Sequence, residues 1–256
     1  MSIYSIYFSP TQGTKKITNL LADEWKDYQE IDLCEDTSKL EKEKKIFSEQ
    51  DVCFFGVPSY GGRVPAVAVE RIQNFIGNHA KAILVVAYGN RHYDDTLLEL
   101  YHILKERDFQ CVGAVTAIAE HSIMRQFGAG RPDEEDREQL KQFAKQIKIR
   151  VENPVDKEME LCGNIPYKEY HGVPLKPQTK EICNQCSVCA NLCPVGAISL
   201  KEPNKTDKEK CISCMRCIQI CPKHARELDQ VMLNGVIEKM KNLFKERKKN
   251  ELFLAG

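Results

Sequence analysis

Residues 51–57 read DVCFFGV and run straight into Pro58. After its first position this stretch carries no charge, and it is the length of one strand. A strand that is apolar at every position, rather than at alternate ones, has both faces buried. That is the condition of a strand inside a parallel sheet covered by helices. Residues 80–88 (AKAILVVAY) repeat the pattern and stop at Gly89, and residues 111–119 (CVGAVTAIA) repeat it again. Upstream, residues 2–8 (SIYSIYF) are a shorter β-rich start, and residues 29–33 supply the remaining candidate. The intervals between these runs have helical spacing. Ile17, Leu20, Leu21 and Trp25 make one stripe across residues 14–27, and residues 66–76, 93–107 and 133–151 also read as helices, the last long and charged. This alternation over residues 1–152 predicts an α/β domain built on a five-stranded, doubly wound parallel sheet.

Open sheets of this kind bind ligands beyond the carboxyl ends of their strands, near the switch in strand order. The loops to examine are therefore those after strands 1, 3 and 4. The first is Ser9-Pro10-Thr11-Gln12-Gly13-Thr14, whose hydroxyls and backbone N–H groups at a helix start suit a phosphate. The second runs from Pro58 through Ser59, Tyr60, Gly61, Gly62 and Arg63 to Pro65, and the third from Tyr88 through Gly89, Asn90, Arg91, His92 and Tyr93 to Asp95. Both offer aromatic rings and pliable backbone, as a flat heterocycle requires. On these loops residues 1–152 resemble the flavodoxin family. The family's phosphate loop reads [ST]-x-T-G-x-T; this chain keeps Ser9, Thr11 and Thr14, with Gln12 where glycine is usual and Gly13 after it. The resemblance implies bound FMN. Its phosphate would rest on Ser9, Thr11, Gln12, Gly13 and Thr14. Its ring would be lined by Pro58, Ser59, Tyr60, Gly61 and Gly62 and by Gly89, Asn90 and Tyr93. Arg63 and Arg91 either approach the ring or the second domain, or stand exposed.

Eight of the twelve cysteines fall into two copies of C-x2-C-x2-C-x3-C-P, offset by 28 residues. The first is Cys183, Cys186, Cys189, Cys193 and Pro194; the second is Cys211, Cys214, Cys217, Cys221 and Pro222. This spacing is the ligand run of a bacterial-type iron–sulfur cluster. Zinc sites show two separated C-x2-C pairs with a longer gap, and disulfides need an oxidising compartment, for which residues 1–10 give no signal-peptide pattern. Residues 181–226 resemble the two-[4Fe-4S] ferredoxin family, a small α+β fold. That resemblance implies crossed ligation: Cys183, Cys186, Cys189 and Cys221 on cluster 1, and Cys211, Cys214, Cys217 and Cys193 on cluster 2. Cys34, Cys53, Cys111 and Cys162 lack ligand spacing and read as inert thiols.

Residues 153–180 hold Pro154, Pro166, Pro174 and Pro177 and read as a stiff connector docked on both domains. Residues 227–256 read as an amphipathic basic helix, with Val231, Leu233, Val236, Ile237, Met240 and Phe244 on its apolar face. Its basic end is a solvated face or a dock for an acidic electron partner. Charge is balanced at +0 overall, which gives no reason to expect nucleic acid. No apolar run approaches the roughly 20 residues that cross a bilayer, and a cytoplasmic protein is expected. His171 and His224 read as surface or hydrogen-bonded residues rather than ligands. The whole chain resembles flavodoxin–ferredoxin fusion proteins of anaerobes. That resemblance implies electron transfer between FMN and two [4Fe-4S] clusters on behalf of a separate redox partner, with no catalytic residues of its own. The alternative is a flavin-dependent oxidoreductase acting on a small molecule or a nicotinamide. No G-x-G-x-x-G follows any strand, and His92, Tyr93 and Asp94 form no recognisable catalytic set. A redox sensor is the third reading; monomer and homodimer are both left open.

Overall fold

The structure, a computed structural model, describes residues 1–35, 44–155 and 157–256. Five strands of the first domain are parallel: β1 (Ile3–Tyr7), β2 (Gln29–Asp32), β4 (Val52–Pro58), β6 (Lys81–Tyr88) and β7 (Gln110–Ile118). They lie in the order β7-β6-β4-β1-β2, which is the flavodoxin-like order for five strands. Two short strands, β3 (Lys45–Ile46) and β5 (Phe75–Ile76), pair apart from this sheet.

The apolar runs divide by parity, as a pleated strand requires. In β4, Phe54 faces one side and meets the Trp25 ring edge-on at 5.3 Å, while Phe55 faces the other and meets Phe109 at 4.9 Å. The Phe54 side is covered by α1 (Gly13–Ala22) and α4 (Glu134–Glu152), through Ile17, Leu21, Leu140, Ala144 and Ile147. The Phe55 side is covered by α2 (Ala66–Ile72) and α3 (Thr96–Glu106), through Ala68, Ile72, Leu97, Leu100 and Leu104. The helix expected over 66–76 is therefore shorter, because Phe75 and Ile76 leave it to pair with Lys45 and Ile46.

The sheet has a sixth strand that the sequence reading lacked. β10 (Glu251–Leu254) pairs antiparallel with β7, setting Glu251 beside Thr116 and Leu254 beside Gly113. Residues 227–256 are thus not one helix. α7 (Gln230–Met240) ends in a 3₁₀ turn at Phe244, and the chain then returns to the first domain. Val231, expected on the apolar face, is exposed, whereas Leu233 and Val236 pack against Leu175, Met215 and Leu228. The basic end is partly consumed by this return, since Arg247 pairs with Asp133 at 2.8 Å.

The second domain repeats itself. α5 (Val188–Asn191) and α6 (Arg216–Gln219) are each entered through a left-handed residue, Ser187 (φ 61°) and Met215 (φ 63°). Both residues occupy the same place in the 28-residue repeat. β8 (Gln178–Thr179) and β9 (Arg226–Glu227) form its small antiparallel pair. The connector packs on the first domain: Asp95, fully buried, accepts the backbone N–H groups of Asn164 (2.8 Å) and Lys168 (2.7 Å).

Candidate functional site

A cleft of about 740 Å³, counting its open mouth, lies at the carboxyl ends of the parallel strands. Its floor is the first loop: Ser9, Thr11, Gly13 and Thr14 all line it. The loop turns through Gln12, which takes the left-handed conformation (φ 66°) where glycine would be unstrained. Gly13 then brings the loop close to the loop after β7, since a Cβ there would crowd Ala119 Cβ at 3.1 Å. Lys15 donates its backbone N–H to Ser9 Oγ (2.9 Å), which folds the loop back over the helix start. α1 begins with no side-chain cap and no acidic residue in its first turn. A helix start that lines a cleft, has no acid in its first turn and is met by one side chain, Ser9 at Lys15, fits the phosphate of a flavin mononucleotide.

The second loop contributes Pro58, Ser59, Tyr60 and Gly61, and the third contributes Gly89. Three expected residues of these loops are turned to other work. The buried Asn90 side chain donates to Phe244 O and Glu246 O (both 2.9 Å) and accepts Lys248 N–H (3.1 Å), so it holds the returning tail. Tyr93 is buried against Tyr88 (5.5 Å), and its carbonyl accepts Thr96 Oγ1 (2.7 Å). Gly62 packs under Asp94, which a Cβ would meet at 2.5 Å. Arg63 pairs with Glu99 (2.7 Å) and donates to Lys168 O (2.8 Å), fastening the connector; Arg91 pairs with Asp94.

The sequence reading missed the rest of the wall. The loop after β7 supplies Ala119, Glu120, His121, Ser122 and Ile123; the connector supplies Tyr170 and Val173; the second domain supplies Ile212 and Ser213. Burial, reinforced by Arg91, holds the His121 imidazole well below its usual value, at about 4. Its Nδ1 accepts the backbone N–H of Ile123 (3.2 Å) and Met124 (3.1 Å). The neutral ring therefore carries its proton on Nε2. Tyr170 lies over Gly61, whose absent Cβ would sit 2.2 Å from its ring.

The eight motif cysteines stand around two voids of similar size, about 320 and 340 Å³. Cys183, Cys186, Cys189 and Cys221 line the first, with Pro222; Cys193, Cys211, Cys214 and Cys217 line the second, with Pro194. The trailing cysteine of each run reaches the other run's void. The repeat extends to the sulfur contacts, since Ala197 N–H donates to Cys193 Sγ and Ala225 N–H to Cys221 Sγ, both at 3.3 Å. Among the described residues no three His, Cys, Asp or Glu side chains converge tightly enough for a single metal ion. Burial pushes the Cys214 and Cys217 thiols up to about 12. Thiolates in such places require a positive partner, which iron would supply if bound there. The donor set and paired voids thus fit polynuclear clusters.

Residues 182–225 match the family described as a 4Fe-4S dicluster domain. No curated protein matches the chain. Among solved structures, a flavodoxin of Streptococcus pneumonia TIGR4 superposes with a TM-score of 0.41 at 16% identity, covering 59% of this chain and 99% of its own. Oxidised flavodoxin 1 of Bacillus cereus gives 0.41 at 16%, over 58% and 98%. The rubredoxin oxygen:oxidoreductase of Desulfovibrio gigas gives 0.42 at 15%, over 59% of this chain and 36% of its own. The strand order identifies the sheet as flavodoxin-like. The chain joins that α/β domain to a 4Fe-4S domain, an arrangement for electron transfer. No helix among the described residues is long and apolar enough to cross a membrane.

Proposed function

We propose that the chain passes electrons between FMN in the cleft and a separate redox partner, using two [4Fe-4S] clusters held by the crossed cysteine sets. The observation that carries this reading is the cleft wall formed by Ile212 and Ser213. Both residues lie between Cys211 and Cys214, so the second thiol set adjoins the cleft directly. When bound, a flavin exchanges one or two electrons and each cluster exchanges one.

The two repeats place the same edge in opposite surroundings. Ile212 and Ser213 are half-buried and buried against the cleft, whereas their counterparts Asn184 and Gln185 are exposed. Cys214 is buried and its counterpart Cys186 is exposed. The second set therefore serves the flavin and the first set serves the outside partner. Ser9, Thr11, Gly13 and Thr14 would hold the phosphate, Tyr60 and Tyr170 would confine the ring, and His121 would present Nε2–H to the cleft wall.

An anaerobic redox titration followed by absorbance and EPR tests the proposal. Eight iron, one FMN and two cluster signals per chain are expected. Four iron, or photoreduction that reaches the flavin and never a cluster, would overturn it. Turnover of NADH or NADPH without an added partner would favour the oxidoreductase reading instead.

A further inference from the structure

The two cysteine runs are nearly interchangeable, so the places where their surroundings differ are informative. After the fourth cysteine the first run continues Pro-Val-Gly-Ala-Ile198 and the second Pro-Lys-His-Ala-Arg226. Ile198 and Arg226 occupy one repeat position, and both are buried, at 4% and 3% exposure. An apolar side chain needs no explanation there. A guanidinium does, because an isolated buried charge costs several kcal/mol.

The groups around Arg226 do not neutralise it. Its Nη1 donates to Thr206 Oγ1 (2.6 Å), and its Nη2 donates to Pro203 O and to Cys189 Sγ (3.6 Å). Its Nε has no hydrogen-bond partner. Among the described residues no carboxylate lies within ion-pair distance of it. It lines the void of the first thiol set, beside Cys183, Cys186, Cys189 and Cys221. Among the described residues two further cations line these voids: the exposed Lys223 on the first, and the half-buried Arg216 on the second, where the first run has Val188.

We propose that Arg226 is the built-in counter-charge of the cluster held by Cys183, Cys186, Cys189 and Cys221, and that it raises that cluster's reduction potential. The inference rests on the two-cluster reading above. Each cluster ligand brings a negative thiolate, and one-electron reduction adds one further negative charge. A guanidinium fixed against a ligand sulfur, shielded from water, stabilises the reduced state more than the oxidised one. Arg226 touches the cluster's ligand and is a positioning and tuning residue, not a catalytic one.

The test uses full-length protein, reconstituted anaerobically, with iron, acid-labile sulfide and FMN counted before a dithionite titration followed by EPR. Arg226→Gln should keep eight iron and one FMN, lower one cluster potential by at least a factor of ten in the reduction equilibrium, 59 mV for a one-electron couple, and leave the other nearly unmoved. Arg226→Met, apolar like Ile198, should do the same, and Arg226→Lys should restore most of the shift. Full iron with both potentials unchanged in the Gln and Met variants overturns the proposal, as does an equal fall in both potentials. Should neither neutral variant load iron, Arg226→Lys decides: loading shows that charge suffices, and failure to load shows a merely structural role. Four iron in the unsubstituted protein would instead sink the two-cluster reading itself.

Discussion

His121 couples the cleft to acidity. Its folded pKa, about 4, lies below the ordinary histidine value near 6.5, chiefly because of burial. Between these values the unfolded chain binds a proton that the folded chain refuses. The stability contributed by the neutral ring is therefore complete above pH 6.5 and is lost as pH falls towards 4. The loss should reach roughly 2 kcal/mol by pH 5 and about 3 kcal/mol in full. Urea-unfolding midpoints at pH 7.5 and pH 5 should diverge for the native chain and diverge less for His121→Asn; an equal divergence in both would show that this ring is not the titrating group. Gly61 poses a steric question at the same scale. Its φ of +63° disfavours a side chain, and an added Cβ would stand 2.2 Å from the Tyr170 ring. Gly61→Ala should cost about 1–3 kcal/mol and weaken FMN binding by displacing Tyr170. An FMN titration that returns native affinity with Tyr170 still ordered would contradict this packing.

The elements differ in how plainly the chain announces them. β4, β6 and β7 were legible because burial on both faces leaves an uninterrupted apolar run. β10 was not, because Glu251–Leu254 is four residues long and follows a basic stretch, and only its partner β7 makes it a strand. The loop after β7 was missed for a related reason. Ala119, Glu120, His121, Ser122 and Ile123 carry no glycine or phosphate signature, and they line the cleft by position alone. The resemblance of its loop to the flavodoxin family assigns Asn90 to the flavin, yet its amide is spent on the tail. Arg226, by contrast, could have been found by comparing the repeats residue by residue. The tail's attachment is testable. The Asn90 amide makes three hydrogen bonds to residues 244–248, so Asn90→Ala should cost about 2 kcal/mol. It should also speed hydrogen exchange at Glu251–Leu254 while the amides of β4 stay protected. Unchanged exchange in β10 would mean that its pairing with β7 suffices to hold the tail.

At the scale of the molecule the chain leaves the first domain once and comes back, so the second domain is tied to it at both ends. The connector is clamped by Asp95 and Arg63, the return by Asn90 and Arg247. A bond crosses between the domains as well, from Arg71 Nη2 to Pro194 O at 2.6 Å. This double tether keeps Ile212 and Ser213 against the cleft, and it makes the order of the two thiol sets a fixed property of the fold. Two serine substitutions at equivalent repeat positions separate the sets. Cys186 is exposed on the outer set and Cys214 is buried on the inner one. After light-driven reduction of the flavin, Cys186→Ser should still show a reduced cluster by EPR at close to the native rate, because the inner set is whole. Cys214→Ser should accumulate reduced flavin while the outer cluster lags by at least tenfold, since tunnelling across a missing centre is slow. Neither change should release FMN, because the loop proposed to hold its phosphate lies in the other domain. Equal rates in the two variants would mean that the sets reach the flavin equally, and that the buried edge at Ile212 and Ser213 is packing rather than passage.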